Sequence, residues 1–183
     1  MSLYVVPTDW MPQASIHGIV VHWTGGHYEP NGLDRQHYHI LVKGDGALVR
    51  GTSPISANDA RFPDRRPRAN HTLNLNTGYI GVALCCMARA VEKPFSPGPA
   101  PLTKEQWAAL PHVLGQLCLH YRIAVTPRTV LSHAEVQGTL GVTQRQKWDI
   151  SILPFAPSID TATEVGDRFR HWTIKSMTTR RQS

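Results

Sequence analysis

The chain is predicted to fold as an α/β domain with a central mixed β-sheet flanked by helices, and three observations carry that expectation. Short apolar runs punctuate the first half, at 16–22, 38–43, 47–50 and 78–87, the first three followed within three residues by glycine. One long amphipathic pattern follows them over 103–121. The composition is that of a globular protein, with 183 residues, 41% apolar and 17% charged, which suffices for one substantial core without a second domain.

The first run, 16–22, ends before Gly25-Gly26 and is expected to be a central strand. After a polar loop, 38–43 reads as a second strand. Gly44-Asp45-Gly46 then turns the chain into 47–50, a hairpin signal because glycine permits positive φ. The stretch 51–77 holds Pro54, Pro63 and Pro67 with little periodicity and reads as a long loop with at most a helical turn; loops of that length in compact domains are usually functional. The next strand, 78–87, is apolar enough to be covered on both faces. Pro94, Pro97, Pro99 and Pro101 mark a surface connection.

Thr103 is a suitable N-cap, and Trp107, Leu110, Leu114, Leu117 and Tyr121 recur at spacings of three and four on one helix face. Pro111 lies inside this pattern, where a missing donor and a ring clash are expected to kink or break the helix at a cost of about 3 kcal/mol. A last short strand is expected over 129–133 and a closing helix over 160–173. The end of the chain, 171–183, is basic and reads as a solvated or frayed tail.

Composition also excludes functions. Apolar stretches are broken within about ten residues, short of the roughly 20 that a spanning helix needs. Met1 to Asp9 lacks a basic region and a small-residue cleavage site, so no signal peptide is expected and the chain is expected to stay in the cytoplasm until released. Cys85, Cys86 and Cys118 are an odd number with two adjacent, which argues against a disulfide framework and for small buried hydrophobes. The net charge of +6 suits an acidic partner: nucleic acid, an anionic membrane or an anionic wall polymer. The densest basic stretch, 61–68, is proline-rich and offers no helix for a groove, so a specific nucleic-acid partner is not expected.

The residues with the clearest chemistry are scattered. His22 closes the first strand pattern, His133 closes the last, and Asp149 follows Lys147-Trp148. Two imidazoles and one carboxylate form an open zinc site, with a fourth position left for water. The 111-residue separation of the histidines (133 minus 22) excludes a zinc finger or a helical H-E-x-x-H motif. His37 and His39 are a competing pair, because alternate strand residues project to one face.

Four segments occur in one order: His22-Trp23-Thr24-Gly25, Tyr38 through Gly46, His71 ahead of Tyr79-Ile80-Gly81-Val82, and Ser132-His133-Ala134-Glu135-Val136 through Lys147-Trp148-Asp149. Together, over 16–153, they resemble the zinc-dependent N-acetylmuramoyl-L-alanine amidases, the family that includes phage lysozyme-type amidases, muropeptide-recycling amidases and peptidoglycan-recognition proteins. The resemblance implies a single amidase domain over 1–183, with a core at 16–153 followed by a C-terminal helix and basic tail. It implies zinc ligated by His22, His133 and Asp149, catalytic roles for Lys147 and Tyr38, and a substrate cleft lined by His71, Trp23 and Asn70. It further implies a monomer that cleaves the bond between N-acetylmuramic acid and L-alanine in peptidoglycan, as a phage or prophage endolysin acting on the cell wall. The alternatives are a cytosolic recycling amidase and a non-catalytic peptidoglycan-binding module.

The chain departs from the family pattern at three places. Ala83 stands where some recycling-type members carry a glutamate base, which aligns the chain with the phage type. Sixteen residues separate His133 from Asp149 (149 minus 133), with 138–144 reading as an insertion. Ile150-Ser151 replaces the usual Pro-Gly.

Overall fold

The computed structural model describes residues 4–156 and 161–180. Its first strand, β1 (Gly18–Trp23), is buried along its whole length because it is paired on both sides. The short helix α1 (Gly32–His37) follows, then the strands β2 (Ile40–Val42) and β3 (Leu48–Arg50), and a 3-10 turn at Ile55–Asn58. Next come β4 (Tyr79–Leu84), the long helix α2 (Lys104–Tyr121), β5 (Val130–Ser132), α3 (His133–Leu140) and α4 (Ala162–Arg180). The five strands form one sheet in the order β3-β2-β4-β1-β5, with β2, β4, β1 and β5 parallel and only the β2–β3 hairpin antiparallel. It is a mixed α/β sheet, as expected from the sequence.

Alternation along the strands divides the interior in two. Ile19, Val21 and Trp23 of β1, with Ile80, Val82 and Leu84 of β4, face α2 and α4 and build the main core with Leu110, Leu114, Leu117 and Phe169. The other face carries Val20, Leu41, Ala83, Cys85 and Leu131 in two small clusters, so it is only thinly covered by apolar groups. His22 and Gly81 alternate onto this second face. Cys85, Cys86 and Cys118 are free and buried.

Helix α2 starts where its capping sequence places it. Thr103 Oγ1 accepts the Gln106 N–H at 3.0 Å, and Gln106 Oε1 accepts the Thr103 N–H at 3.1 Å. The Gln106 amide also donates to the Val42 and Cys85 carbonyls, tying the helix start to the ends of β2 and β4. The helix runs through Pro111 without the break expected from the sequence. The Pro111 carbonyl accepts a hydrogen bond from Ser176 Oγ of α4 at 2.9 Å, and the tight packing of α4 against this region offsets the local cost. Gly115 permits that approach, since a Cβ there would meet Ser176 Oγ.

Four other expectations are corrected. The segment before β2 holds the helix α1, capped by Asn31, whose side chain accepts from the Leu33 and Asp34 N–H groups; a six-residue helix shows no period long enough to read. His37 therefore ends a helix and does not alternate with His39 in a strand. His133 begins α3 instead of closing β5. Residues 171–180 belong to α4, so the expected tail is helical here and packs through Thr173 and Ser176 while His171, Trp172 and Ile174 face solvent; 181–183 lie outside the described residues. Among the described residues no helix is long and apolar enough to cross a membrane.

Candidate active site

The site forms on the thinly covered face. His22 projects onto it from β1, directly across the ladder from Ala83 of β4, so the small alanine leaves the imidazole room. A glutamate at 83 would point to the same face beside it. One pair earlier in β4, Gly81 does the same for His71, whose ring atoms occupy the space a Cβ would need.

His133 is held by the start of α3. The Glu135 carboxylate accepts the Ser132 N–H at 2.8 Å, and Arg170 of α4 grips that carboxylate at 2.8 and 3.1 Å. Asp149 arrives on the loop after α3, its carbonyl accepting the Ala134 N–H at 2.7 Å. Asp149 Oδ2 then lies 3.0 Å from His22 Nδ1 and 3.2 Å from His133 Nδ1, and one ligand atom from each of the three buried residues falls within 4.8 Å of the others. A zinc tetrahedron with N and O bonds of about 2.0–2.2 Å has edges of about 3.3–3.6 Å, and the two edges that meet at Asp149, 3.0 and 3.2 Å, fall just short of that range.

The charge states fit. Burial lowers His22 to about 4, overcoming the neighbouring Asp149 carboxylate that raises it. Burial works in the opposite sense on Asp149, but the His133 and His22 imidazoles beside it outweigh it and hold the carboxyl at about 2. At neutral pH the centre therefore offers an ionised carboxylate and a neutral His22 imidazole, the forms a divalent cation requires. Tyr38 is tilted against His22 with ring centroids 5.1 Å apart. Burial, then the Asp149 charge, pushes its phenol well above the usual tyrosine value, so it remains a proton donor.

A cleft of about 690 Å³ opens over this centre. Trp23, Tyr38, Asn70, His71, His133, Lys147 and Asp149, separated widely along the chain, all border it, so the residues singled out from sequence come together. Trp23 packs edge-on against Trp148 at 4.7 Å and forms part of one wall. Arg68 and Arg145 line the cleft too and, with Lys147, give it a positive rim. Of the competing histidine pair, His37 reaches the cleft wall, while His39 turns its Nδ1 to the Gly81 N–H at 3.0 Å, outside the convergent group. Sequence reasoning missed Thr72 and Gln144, which contact the far nitrogens of His22 and His133. Thr72 carries no motif of its own, and Gln144 lies in the segment that reads as an insertion. That segment is the last turn of α3, closed by Gly141 at φ 73°, and the chain returning toward Asp149.

A family model described as N-acetylmuramoyl-L-alanine amidase matches residues 12–150, most of the chain and every residue of the His-His-Asp centre. The chain belongs to the N-acetylmuramoyl-L-alanine amidase family. It is an amidase. No curated protein matches it by sequence comparison. Solved structures share its fold: a point mutant of PlyL at 18% identity, covering 92% of this chain and 94% of that one with a TM-score of 0.52. The hydrolase AmiA of Staphylococcus aureus, solved with its ligand, matches at 15% identity over 89% of this chain and 75% of its own, also with a TM-score of 0.52.

Proposed function

We propose that this amidase hydrolyses the bond between the lactyl group of N-acetylmuramic acid and L-alanine in peptidoglycan, with zinc held by His22, His133 and Asp149. The observation that carries the reading is the convergence of two imidazole nitrogens and a carboxylate oxygen, all buried, at the floor of an open cleft. Zinc, when bound, supplies a Lewis acid that polarises the amide carbonyl and acidifies water at neutral pH. Lys147, on the cleft wall, offers an ammonium to the oxygen that gains charge as the carbonyl becomes tetrahedral. Tyr38 keeps its proton and offers a donor to substrate beside His22. Trp23, Asn70 and His71 shape the cleft that receives the glycan and its stem peptide.

The physiological role we propose is that of a phage or prophage endolysin. The net charge of +6 favours adsorption to an anionic wall, and Ala83 leaves no glutamate base on β4. Loss of a ligand would favour the binding-module reading, and all three ligands are present. Purified peptidoglycan, incubated with and without a chelator, tests the reaction: chelator-sensitive release of peptides with a free L-alanine amine is expected. A protein that binds zinc but releases nothing from wall or soluble muropeptides refutes it.

A further inference from the structure

Each imidazole that faces Asp149 has a second ring nitrogen, and both of these are engaged. His22 Nε2 lies 3.3 Å from Thr72 Oγ1, which lies 2.8 Å from His71 Nδ1, while His71 Nε2 lies 3.2 Å from the Tyr79 carbonyl. On the other side, His133 Nε2 lies 2.8 Å from Gln144 Oε1. The Gln144 amide nitrogen donates to the carbonyls of Leu73 at 2.9 Å and Val142 at 3.3 Å.

These contacts assign the protons. A backbone carbonyl only accepts, so His71 carries its hydrogen on Nε2. His71 is buried and hydrogen-bonded to no carboxylate, so it stays neutral and its Nδ1 takes the one hydroxyl proton of Thr72. Thr72 Oγ1 is then an acceptor toward His22, which places the His22 proton on Nε2. Two carbonyls likewise turn the Gln144 NH2 group away from His133 and leave its oxygen to accept the His133 Nε2–H. With both imidazoles neutral, as metal binding requires, this network turns both Nδ1 lone pairs toward Asp149 Oδ2, where a cation would satisfy all three acceptors.

We propose that Thr72 and Gln144 are positioning residues that hold His22 and His133 in the Nε2–H tautomer, each anchored by backbone carbonyls, so that both Nδ1 atoms are presented to the metal. The inference rests on the zinc reading above and deepens it. The carbonyl of Tyr79, through His71 and Thr72, governs one ligand; those of Leu73 and Val142, through Gln144, govern the other. His71 is thereby a relay as well as part of the cleft wall.

The test is zinc affinity, measured by competition with a chromophoric chelator, in Thr72→Val, Thr72→Ser and Gln144→Met. Thr72→Val keeps the shape and removes the hydroxyl, and Gln144→Met keeps the length and removes the amide. Each is expected to weaken zinc binding about 10- to 100-fold, the usual effect of losing such a partner, while Thr72→Ser restores most of it. Nitrogen-15 spectra of the zinc-loaded wild type are expected to show slowly exchanging protons on Nε2 of both histidines. Unchanged affinity in a folded Thr72→Val, or metal at Nε2 with the proton on Nδ1, overturns the proposal. Should Thr72→Val fail to fold, the nitrogen-15 assignment and Gln144→Met decide. A wild type that binds no zinc defeats the functional reading; one that binds it with the variants unchanged defeats only this inference.

Discussion

Replacing Arg170 by methionine tests how α4 supports the site. The guanidinium is buried against Glu135, with side-chain exposures of 5% and 2%, and it also donates to the Val130 carbonyl at 3.0 Å. Its other partner, Asp167, is 64% exposed and contributes little. Removing the cation strands an ionised Glu135 in the interior, which costs on the order of 3–5 kcal/mol. At about 2–4 °C per kcal/mol for a chain of this size, the melting temperature should fall by roughly 6–20 °C. The measurement is thermal unfolding in the presence of a chelator, so that metal binding does not mask the loss. The double variant Arg170→Met/Glu135→Leu should recover most of the stability, short of about 1 kcal/mol for the lost acceptor at the Ser132 N–H. A single-variant loss below about 1 kcal/mol, or a double variant no better than the single, would refute the view that α4 braces the start of α3 through this pair.

Lys147→Ala should retain zinc and lower kcat by about 10²- to 10³-fold, the range for one missing transition-state donor; loss of zinc by direct metal analysis would reassign the residue. Gly81→Ala should displace the His71 ring, which occupies the space of the new methyl, and so weaken zinc binding, measured by chelator competition. The metal-free protein should lose stability in acid. Burial lowers His39 from 6.5 to about 4, so its contribution is complete above 6.5 and is lost as pH falls toward 4, because the unfolded chain takes up a proton that the native state refuses. The loss is on the order of 3 kcal/mol for this group, and His39→Asn, which keeps an acceptor for the Gly81 N–H, should flatten that part of the curve in denaturant titrations. An unchanged slope would show that His39 is not buried in its neutral form.

Several features were legible in the amino-acid order because they are encoded locally. The glycines at 44 and 46 announce the β2–β3 hairpin, and Thr103 with Gln106 marks the first turn of α2, since both depend on residues a few positions apart. The ligand types at 22, 133 and 149 could be singled out by their chemistry and by the ordered motifs around them. What the sequence could not show depends on contacts between distant segments. Pro111 predicts a kink or break, yet α2 continues, because α4, far along the chain, packs against this part of the helix and its burial offsets the cost of the missing donor. His133 reads as a strand end and is a helix start: the Ser132–Glu135 contact that begins the helix is local and could have been read, whereas Arg170, which holds Glu135, comes from a distant helix. Thr72 and Gln144 carry no pattern that marks them. Tertiary structure alone brings their oxygens to the imidazoles, and the direction of those hydrogen bonds is set by backbone carbonyls whose positions exist only once the sheet and its loops have assembled.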